Sequence, residues 1–208
     1  MKKDIHTILL YICGLFITAI GSNLFLNANL GVAPSCTLAL ALTFLLPVHG
    51  YAFYNFLTNL GLLIGESVIS RKLGRVQLIQ FCLIFFYSVF IQTTAPLVSF
   101  LRTDILPLRI LVSLLASLVM SLGTSCMITS GFAVLPTEGF INSIAEKRGK
   151  PFGRVRIYVE VTFTVVSSLI SLALLHDLRV VGIGTVLAAF LNGTITGFIL
   201  RYGFKSRR

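Results

Sequence analysis

Charged residues are scarce in this chain of 208 residues, since Asp, Glu, Lys and Arg together make up 12% of it. A soluble globular protein has roughly 25% charged residues, so the composition excludes a water-soluble globule. Four long stretches contain no charged residue at all: 5–65, 76–101, 110–137 and 180–200. A helix that crosses the hydrocarbon of a bilayer needs about 20 mostly apolar residues. The sequence therefore predicts a helical protein with several membrane spans.

Tryptophan is absent, and cysteine and histidine are rare. The four cysteines lie in apolar stretches without Cys-x-x-Cys spacing, which excludes a disulfide framework and is typical of small buried side chains. The three histidines lie at span edges without the spacing of a metal motif, so we expect no metal ion and no cofactor. Because no activated nucleophile or pair of catalytic carboxylates is recognisable, we also expect that the protein is not an enzyme.

The net charge is +10, from 17 Lys and Arg against 7 Asp and Glu. In a soluble protein this excess would indicate nucleic acid. Here the basic residues lie in short segments beside apolar stretches, where basic residues set the orientation of membrane helices. We therefore expect the lipid bilayer as a partner and no nucleic acid.

The apolar segments predict an all-α polytopic membrane protein with six transmembrane helices and two short re-entrant or interfacial helices. The predicted spans are 7–28, 51–70, 76–96, 108–129, 157–175 and 180–200. The two short segments, 35–46 and 137–146, have about 10–12 residues each and are too short to cross a bilayer. The second is also too polar.

Two parts of the chain resemble each other at a constant separation of 102 residues. Gly21 is matched by Gly123 and Pro34 by Pro136, without a gap. Each copy has an apolar span, a bend of small residues, a proline, and then a Ser or Thr that we expect to cap a short helix. A duplicated unit of this kind is a common origin of transporter folds.

We interpret 1–103 and 104–208 as the first and second membrane repeats of one integral membrane domain. The start of the chain, Met1-Lys2-Lys3 before an apolar run, also fits a signal peptide. A cleaved leader would not be part of an internal repeat, so we interpret this segment as a retained first span.

The basic residues favour cytoplasmic N- and C-termini. With both short segments re-entrant, 14 Lys and Arg residues lie inside and three lie outside, namely Arg102, Arg109 and Arg179. If both short segments crossed, the ratio would be 13 to 4, so charge hardly separates six spans from eight. Segment length favours six. Three spans per half then relate the repeats by inversion about an axis in the membrane plane, whereas eight spans would make them parallel.

The short segments provide the first candidate site. We expect their N-termini to point inward near the midplane, so that free N–H groups, Ser35 and Thr137 line a solute site between the two halves. Glu138 is either a structural carboxylate favoured by the helix dipole or a ligand of the solute. The N–H groups suit an anion, and Glu138 suits a cation, a proton or a zwitterion. No substrate charge follows from these residues.

Arg156 and Glu160 provide a second candidate, because residues four apart share one helical face. They lie where a basic loop enters a span, and they form either an ion pair that anchors the helix end or a part of the site. In the latter case Glu160 binds solute or a proton. Asn55 and Asn59, also four apart, are either interhelical hydrogen-bonding residues or polar lining of the site.

Glu66 and the paired glycines favour structural interpretations. Glu66 lies one turn before Arg71 and Lys72, so we expect it to reach the membrane surface and pair there. Gly61-xxx-Gly65 and Gly193-xxx-Gly197 predict close helix packing, or else a homodimer contact. The glycines of Gly182-Ile183-Gly184 predict a tight turn into the last span.

Several of these segments also resemble a known family. They are the stretch 132–138 (FAVLPTE), the basic pairs Lys147-Arg148 and Arg154-Val155-Arg156 with Glu160, the turn 182–185 (GIGT) and, in the first half, 28–34 (ANLGVAP). On these residues the chain resembles the YczE/YitT-like bacterial integral membrane proteins, whose biochemical function is uncharacterised. The resemblance implies a bacterial cytoplasmic (inner) membrane and no known reaction. Such proteins often have an acid two positions after the proline in the first half, where this chain has Cys36.

The duplicated halves and broken helices favour a small secondary transporter of an unidentified small solute. In this hypothesis the halves rock around a central site, and Glu138 or Glu160 couples protons or another cation. The alternative is a non-transporting membrane partner or assembly subunit of another complex, which would bind through lipid-facing stripes or the basic loop 147–156. A channel or a component of an energised importer is a third hypothesis.

Overall fold

The computed structural model describes residues 5–71, 74–176 and 180–203, and every regular element in these ranges is helical. The α-helices are α1 (Ile5–Ala28), α2 (Thr37–Leu45), α3 (Tyr51–Ser70), α4 (Arg75–Val98), α5 (Leu106–Ser130), α6 (Pro136–Arg148), α7 (Phe152–Ile170) and α8 (Ile183–Tyr202). Short 3₁₀ turns precede α2 (Pro34–Cys36) and follow α4 (Ser99–Leu101), and a π-helical turn (Ser171–Leu175) extends α7.

Six of these helices are long and apolar enough to cross a membrane, namely α1, α3, α4, α5, α7 and α8. This confirms the prediction of an all-α protein with six candidate spans. The short helices α2 and α6 have 9 and 13 residues and match the two short segments expected from the sequence. Protein of this composition and helix length is a multi-pass membrane protein.

The seventh helix begins earlier than the sequence predicted, at Phe152 instead of residue 157. Pro151 is its N-cap residue, and its carbonyl accepts the first hydrogen bonds of the helix from the amides of Arg154 and Val155. The basic residues Arg154 and Arg156 therefore lie in the first turns of α7 and not in a loop. Seven of the basic residues counted in the predicted topology lie outside the described residues: Lys2, Lys3, Lys72, Arg179, Lys205, Arg207 and Arg208.

The chain forms two compact units, and neither coincides with a sequence half. The first comprises the described parts of 1–33, 89–132 and 181–208, and contains α1, the end of α4, α5 and α8. The second comprises those of 34–88 and 133–180, and contains α2, α3, the start of α4, α6 and α7. Each unit therefore combines helices from both predicted repeats.

In the first unit, α1 and α5 pack against each other in antiparallel orientation. As the chain advances along α1 it meets successively earlier residues of α5: Gly14 lies beside Met127, Thr18 beside Gly123, and Gly21 beside Met120. A Cβ atom at any of the three glycines would overlap the neighbouring helix, so the absence of a side chain permits this close approach.

The C-terminal end of α1 is held by groups from distant parts of the first unit. Arg109 Nε donates to the carbonyl of Ala28 at 2.8 Å, and its guanidinium also donates to that of Asn29. The amide of Gly184 donates to the carbonyl of Leu30 at 2.8 Å. Carbonyls at a helix C-terminus lack partners within the helix, and these contacts satisfy them.

The two paired-glycine motifs do not mediate the packing that the sequence suggested. Gly65 packs against the Phe140 ring, but a Cβ atom at Gly61, Gly193 or Gly197 would meet no described atom within 4 Å. The packing prediction is therefore wrong at these three positions within the described chain, because their faces of α3 and α8 are open. The homodimer contact stays a prediction.

In the second unit, α6 and α7 form an antiparallel hairpin across a three-residue connection. Ile141, Ala145 and Val155 form its buried core, with Ile144 and Val159 packed against them. The C-terminal end of α6 therefore lies beside the N-terminal end of α7. The N-terminus of α6 lies at the other end of this hairpin, away from the basic connection.

Candidate functional site

A ladder of polar side chains runs along α3 and ends on the first turn of α6. Asn55 Nδ2 donates to the Tyr51 hydroxyl at 3.3 Å. Asn59 Nδ2 donates to the backbone carbonyl of Asn55 at 2.9 Å and to its Oδ1 at 3.1 Å. The Thr137 hydroxyl donates to Asn59 Oδ1 at 3.5 Å. Because Asn59 lies near the middle of α3, the N-terminus of α6 lies beside the middle of a helix long enough to span a membrane.

Neither Ser35 nor Thr137 caps its short helix, so this prediction is wrong. The N-cap residue of α6 is Leu135 and that of α2 is Cys36, and neither makes a side-chain capping hydrogen bond. In α6 the physical reason is Pro136, which occupies the first helical position because its fixed φ suits that place and its missing N–H is not needed there. Thr137 is therefore inside the helix, and its hydroxyl is directed to α3.

Arg156 and Glu160 form an ion pair on α7, with 2.9 Å between Arg156 Nε and Glu160 Oε1. Glu138 of α6 is close enough to feel both charges. Its carboxylate is bound by the amide of its own residue, while Oε2 is buried without a hydrogen-bond partner. Burial raises the pKa of the Glu138 carboxyl, and the positive charge of Arg156 partly opposes that rise. The site therefore holds a carboxyl group that is poised to bind a proton or a donor.

Cys36 occupies the position equivalent to Glu138 in the first repeat, 102 residues earlier. It is buried, its sulfur lies 3.9 Å from the Ser35 hydroxyl, and it hydrogen-bonds to Tyr51. Burial raises the pKa of the Cys36 thiol, and the charges of Glu138 and Glu160 raise it further. The Cys36 thiol and the Glu138 carboxyl are thus both influenced by the charge of Glu160 on α7.

The seven candidate residues all lie within the second compact unit: Ser35, Asn55, Asn59, Thr137, Glu138, Arg156 and Glu160. Hydrogen bonds join the two asparagines to Thr137, and the ion pair joins the two charged residues of α7. Glu138 is linked to that pair by charge, and Ser35 adjoins the group through Cys36. The second unit therefore contains hydroxyl, amide, carboxylate and guanidinium groups, which are the kinds of group that bind small polar solutes.

A buried contact that sequence reasoning missed joins the other short helix to α7. The Ser167 hydroxyl donates to the Thr37 hydroxyl at 3.1 Å, and both side chains are fully buried. At the equivalent positions 102 residues away, Gly139 packs against the Glu66 side chain and Gly65 packs against the Phe140 ring. The only sequence signal for Ser167 is a hydroxyl four residues before Ser171, which recurs too often in membrane helices to single it out.

Glu66 is the clearest error of the sequence interpretation. It does not reach toward the surface beside Arg71; it is buried, with 7% of the residue exposed, and its Oε2 accepts a hydrogen bond from Gln80 Nε2 at 3.1 Å. The predicted pairing fails because α4 and α6 pack over this face of α3. Gln80 was not identified from the sequence, although it is one of few polar side chains in the stretch 76–101.

In the ranges that the structure describes, no three or more His, Cys, Asp or Glu side chains come together as a metal site would require.

Comparison with known proteins identifies one relationship. A family model described as a family of unknown function (DUF6198) matches residues 5–201. No curated protein and no solved structure matches the chain.

Proposed function

The chain belongs to the DUF6198 family of unknown function, and we propose that it is a small secondary transporter of a polar solute. The proposed site lies at the N-terminal turns of α2 and α6 and contains the seven candidate residues. The observation that carries the proposal is the position of the α6 N-terminus, which contacts Asn59 in the middle of a candidate span while the Glu138 Oε2 atom is buried and unpartnered.

The lengths of the short helices support a re-entrant arrangement. At 1.5 Å per residue, α6 is about 20 Å long and α2 about 14 Å, against a hydrocarbon thickness of about 30 Å. Neither can cross. Non-helical backbone at membrane depth is tolerated only where it is buried in protein or lines a cavity, so two such breaks beside polar side chains favour a solute site.

The antiparallel packing of α1 and α5 supports inverted repeats. These helices are equivalent in the two repeats, because Gly21 and Gly123 are 102 residues apart. If α2 and α6 do not cross, three crossings separate the start of α1 from that of α5, and the two must run in opposite directions. Eight crossings would make them run in the same direction. The contacts of Gly14, Gly21 and Gly123 fit the first arrangement.

Reciprocal contacts support the duplication itself. Gly21 lies against Met120, and the equivalent residue Gly123 lies against Thr18, which is the equivalent of Met120. In a two-fold arrangement, residue i of one copy meets residue j of the other, and j of the first meets i of the second. An inverted pair of this type, with broken helices and a site at mid-depth, is a recurring transporter architecture.

The charges of the site favour a zwitterion, a cation or a proton-coupled neutral solute. Two carboxylates face one guanidinium, so the group is negative when Glu138 is ionised and neutral when it is protonated. A solute ammonium could bind the unpartnered Glu138 oxygen, and a solute carboxylate would find Arg156, whose pairing with Glu160 is only partly buried.

The proposal is tested by measuring whether cysteines at the starts of α2 and α6 can be labelled from both sides of the membrane. Cys36 is a native probe for the first when the other three native cysteines are replaced. Val134→Cys, in a chain in which all four native cysteines are replaced, is the probe for the second. The full-length protein is reconstituted in vesicles of known orientation and labelled with a membrane-impermeant maleimide. We expect each probe to be reached from both faces, in proportions that shift with conditions. The control, Val48→Cys in the α2–α3 loop, should react from one face only.

Labelling of both probes from a single face under all conditions would exclude the transporter. A panel of zwitterionic and cationic small molecules, screened for thermal stabilisation, then identifies ligands. Glu160→Gln is expected to insert and fold normally but to lose that stabilisation. A stoichiometric partner that co-purifies from native membranes, without any such ligand, would instead support the assembly-subunit alternative.

The remaining sequence-based expectations are part of the same proposal. They are a bacterial cytoplasmic membrane, cytoplasmic N- and C-termini, kinship with the YczE/YitT-like proteins, a homodimer contact, and no enzymatic activity. The proposed orientation rests on the excess of basic residues at the predicted inner side, where the last turn of α6 carries Lys147 and Arg148 and the connection after it carries Lys150.

A further inference from the structure

A second carboxylate is buried in the second unit, away from the ladder that reaches Thr137. Glu66 lies in the C-terminal half of α3, and its Oε2 is packed against the backbone of Gly139 in the first turns of α6. A Cβ atom at position 139 would overlap this oxygen, so only glycine leaves room for it. Gln80 of α4, with 1% of the residue exposed, lies against the same glycine, and a Cβ atom there would also overlap its Nε2.

No cation faces Glu66 from the described residues that surround it. The contacting groups are the neutral amide of Gln80 from α4 and the Gly139 backbone from α6. On its own helix the nearest base is Arg71, five positions further on and exposed, and the titratable neighbour of Gly139 on α6 is the acid Glu138. An ionised carboxylate in a membrane helix with one neutral donor is energetically costly.

The Gln80 side chain also lacks a hydrogen-bond partner at one of its atoms. Its Nε2 donates both to Glu66 Oε2 and to the carbonyl of Val134, at 3.2 Å, while its Oε1 is buried without a partner. A proton on Glu66 would remove the buried charge and create an O–H donor. If the Gln80 amide turns over, that donor can bind Oε1. A metal cation is the weaker fit, because the pocket offers too few free oxygen ligands for a hard cation.

We propose that Glu66 and Gln80 form a buried proton-binding site that controls the segment before α6. With Glu66 ionised, Gln80 Nε2 joins Glu66 to the Val134 carbonyl and holds the extended segment before Pro136. With Glu66 protonated, the Oε1 atom of the turned amide accepts a hydrogen bond from the Glu66 carboxyl, and the Val134 carbonyl loses its donor. The segment that places Thr137 and Glu138 is then released.

The site itself does not depend on transport. Its role as the coupling site, with the proton as coupling ion, rests on the proposed transporter function. Because Val134 and Glu138 are four residues apart on the same short segment, a proton bound at Glu66 would change the position of the solute-binding groups. This gives a physical link between proton binding and solute binding.

The experiment measures protonation and release separately in the full-length protein. Infrared spectroscopy titrates the band of protonated carboxyl groups in wild type, Glu66→Gln and the control Glu146→Gln, whose carboxyl is exposed on α6. We expect one band component to be lost in Glu66→Gln and kept in the control. Maleimide labelling is then compared between two proteins that both carry Val134→Cys, one with native Glu66 and one with Glu66→Gln. The ratio of their labelling rates should vary with pH by up to about tenfold per pH unit.

Glu66→Gln is expected to be labelled rapidly at all pH values, because its amide can donate to Gln80 Oε1 as the protonated acid does. Unchanged infrared bands in Glu66→Gln, or wild-type pH dependence of its Val134→Cys labelling, would overturn the proposal. If that variant does not fold, Gln80→Leu tests the same point, since it must abolish the pH dependence of labelling. One-sided labelling at Cys36 with the Glu66 band intact would exclude the transporter but retain the proton site.

Discussion

Cys36 and Glu138 occupy equivalent positions in the two repeats but have different chemistry. Glu138 lies in the first turn of α6 and Cys36 is the N-cap residue of α2, and burial raises the pKa of both side chains. The predicted second repeat places a carboxyl group at this position, where the predicted first repeat has a thiol. The two predicted repeats therefore differ chemically at this position.

Glu138 predicts a specific pH dependence of stability. Its pKa is higher in the folded protein than in the unfolded chain, so the folded state binds the proton more tightly, and stability falls as pH rises through the folded-state pKa. Glu138→Gln should abolish this loss, with a difference of at most about 1.4 kcal/mol per pH unit inside that window. Thermal unfolding followed by circular dichroism across pH measures it.

The matched control for Glu138→Gln is Glu146→Gln, which removes an exposed carboxyl from the same helix. A wild-type pH profile in Glu138→Gln would show that its carboxyl is hydrated in solution and does not take part in a buried site.

At the level of helices, the close approach of α1 and α5 is the most demanding contact of the first unit. In a membrane no difference in apolar solvation drives two helices together, so small residues that allow backbone approach determine where they pack. Gly14, Gly21 and Gly123 provide this approach, whereas the glycine pair at 193 and 197, which has the better-known spacing, lies on an open face.

Gly123→Ala should destabilise the folded protein by about 1–3 kcal/mol, because its Cβ would overlap Thr18 and the carbonyl of Gly14. The control Gly193→Ala adds the same methyl group to an open face and should be neutral or slightly stabilising. Thermal midpoints in detergent compare the two. Equal midpoints would contradict the antiparallel packing of α1 against α5.

At the level of the whole molecule, the number of crossings decides the relation between the repeats. With six, the α2–α3 loop and the α6–α7 connection lie in opposite compartments; with eight, they lie in the same one. The lengths of α2 and α6 and the direction of α5 relative to α1 both favour six.

Single-cysteine variants Val48→Cys and Lys150→Cys test the topology directly, because both positions are exposed. In vesicles of one orientation, an impermeant maleimide should label one variant and spare the other. Labelling of both from the same side would mean that the short helices cross, and the inverted-repeat proposal would then fail with the site built on it.

Local properties of the chain account for what the sequence predicted well. The length and polarity of each apolar run determine whether a helix can cross, and these do not depend on the rest of the fold. The boundaries of α3 were therefore predicted within a residue, and both short helices within about two. The i, i+4 spacing of Arg156 and Glu160 is likewise local, and the ion pair followed from it.

The sequence by itself determined that the chain has six long apolar helices and two short helices, and it determined which of their residues are polar. Tertiary structure alone decided the partners of those polar residues: Glu66 binds Gln80, Thr137 binds Asn59, and Ser167 binds Thr37. The physical reason is that hydrophobic length is set residue by residue along one helix. The cost of a buried polar group depends on which atoms of other helices come within hydrogen-bonding distance.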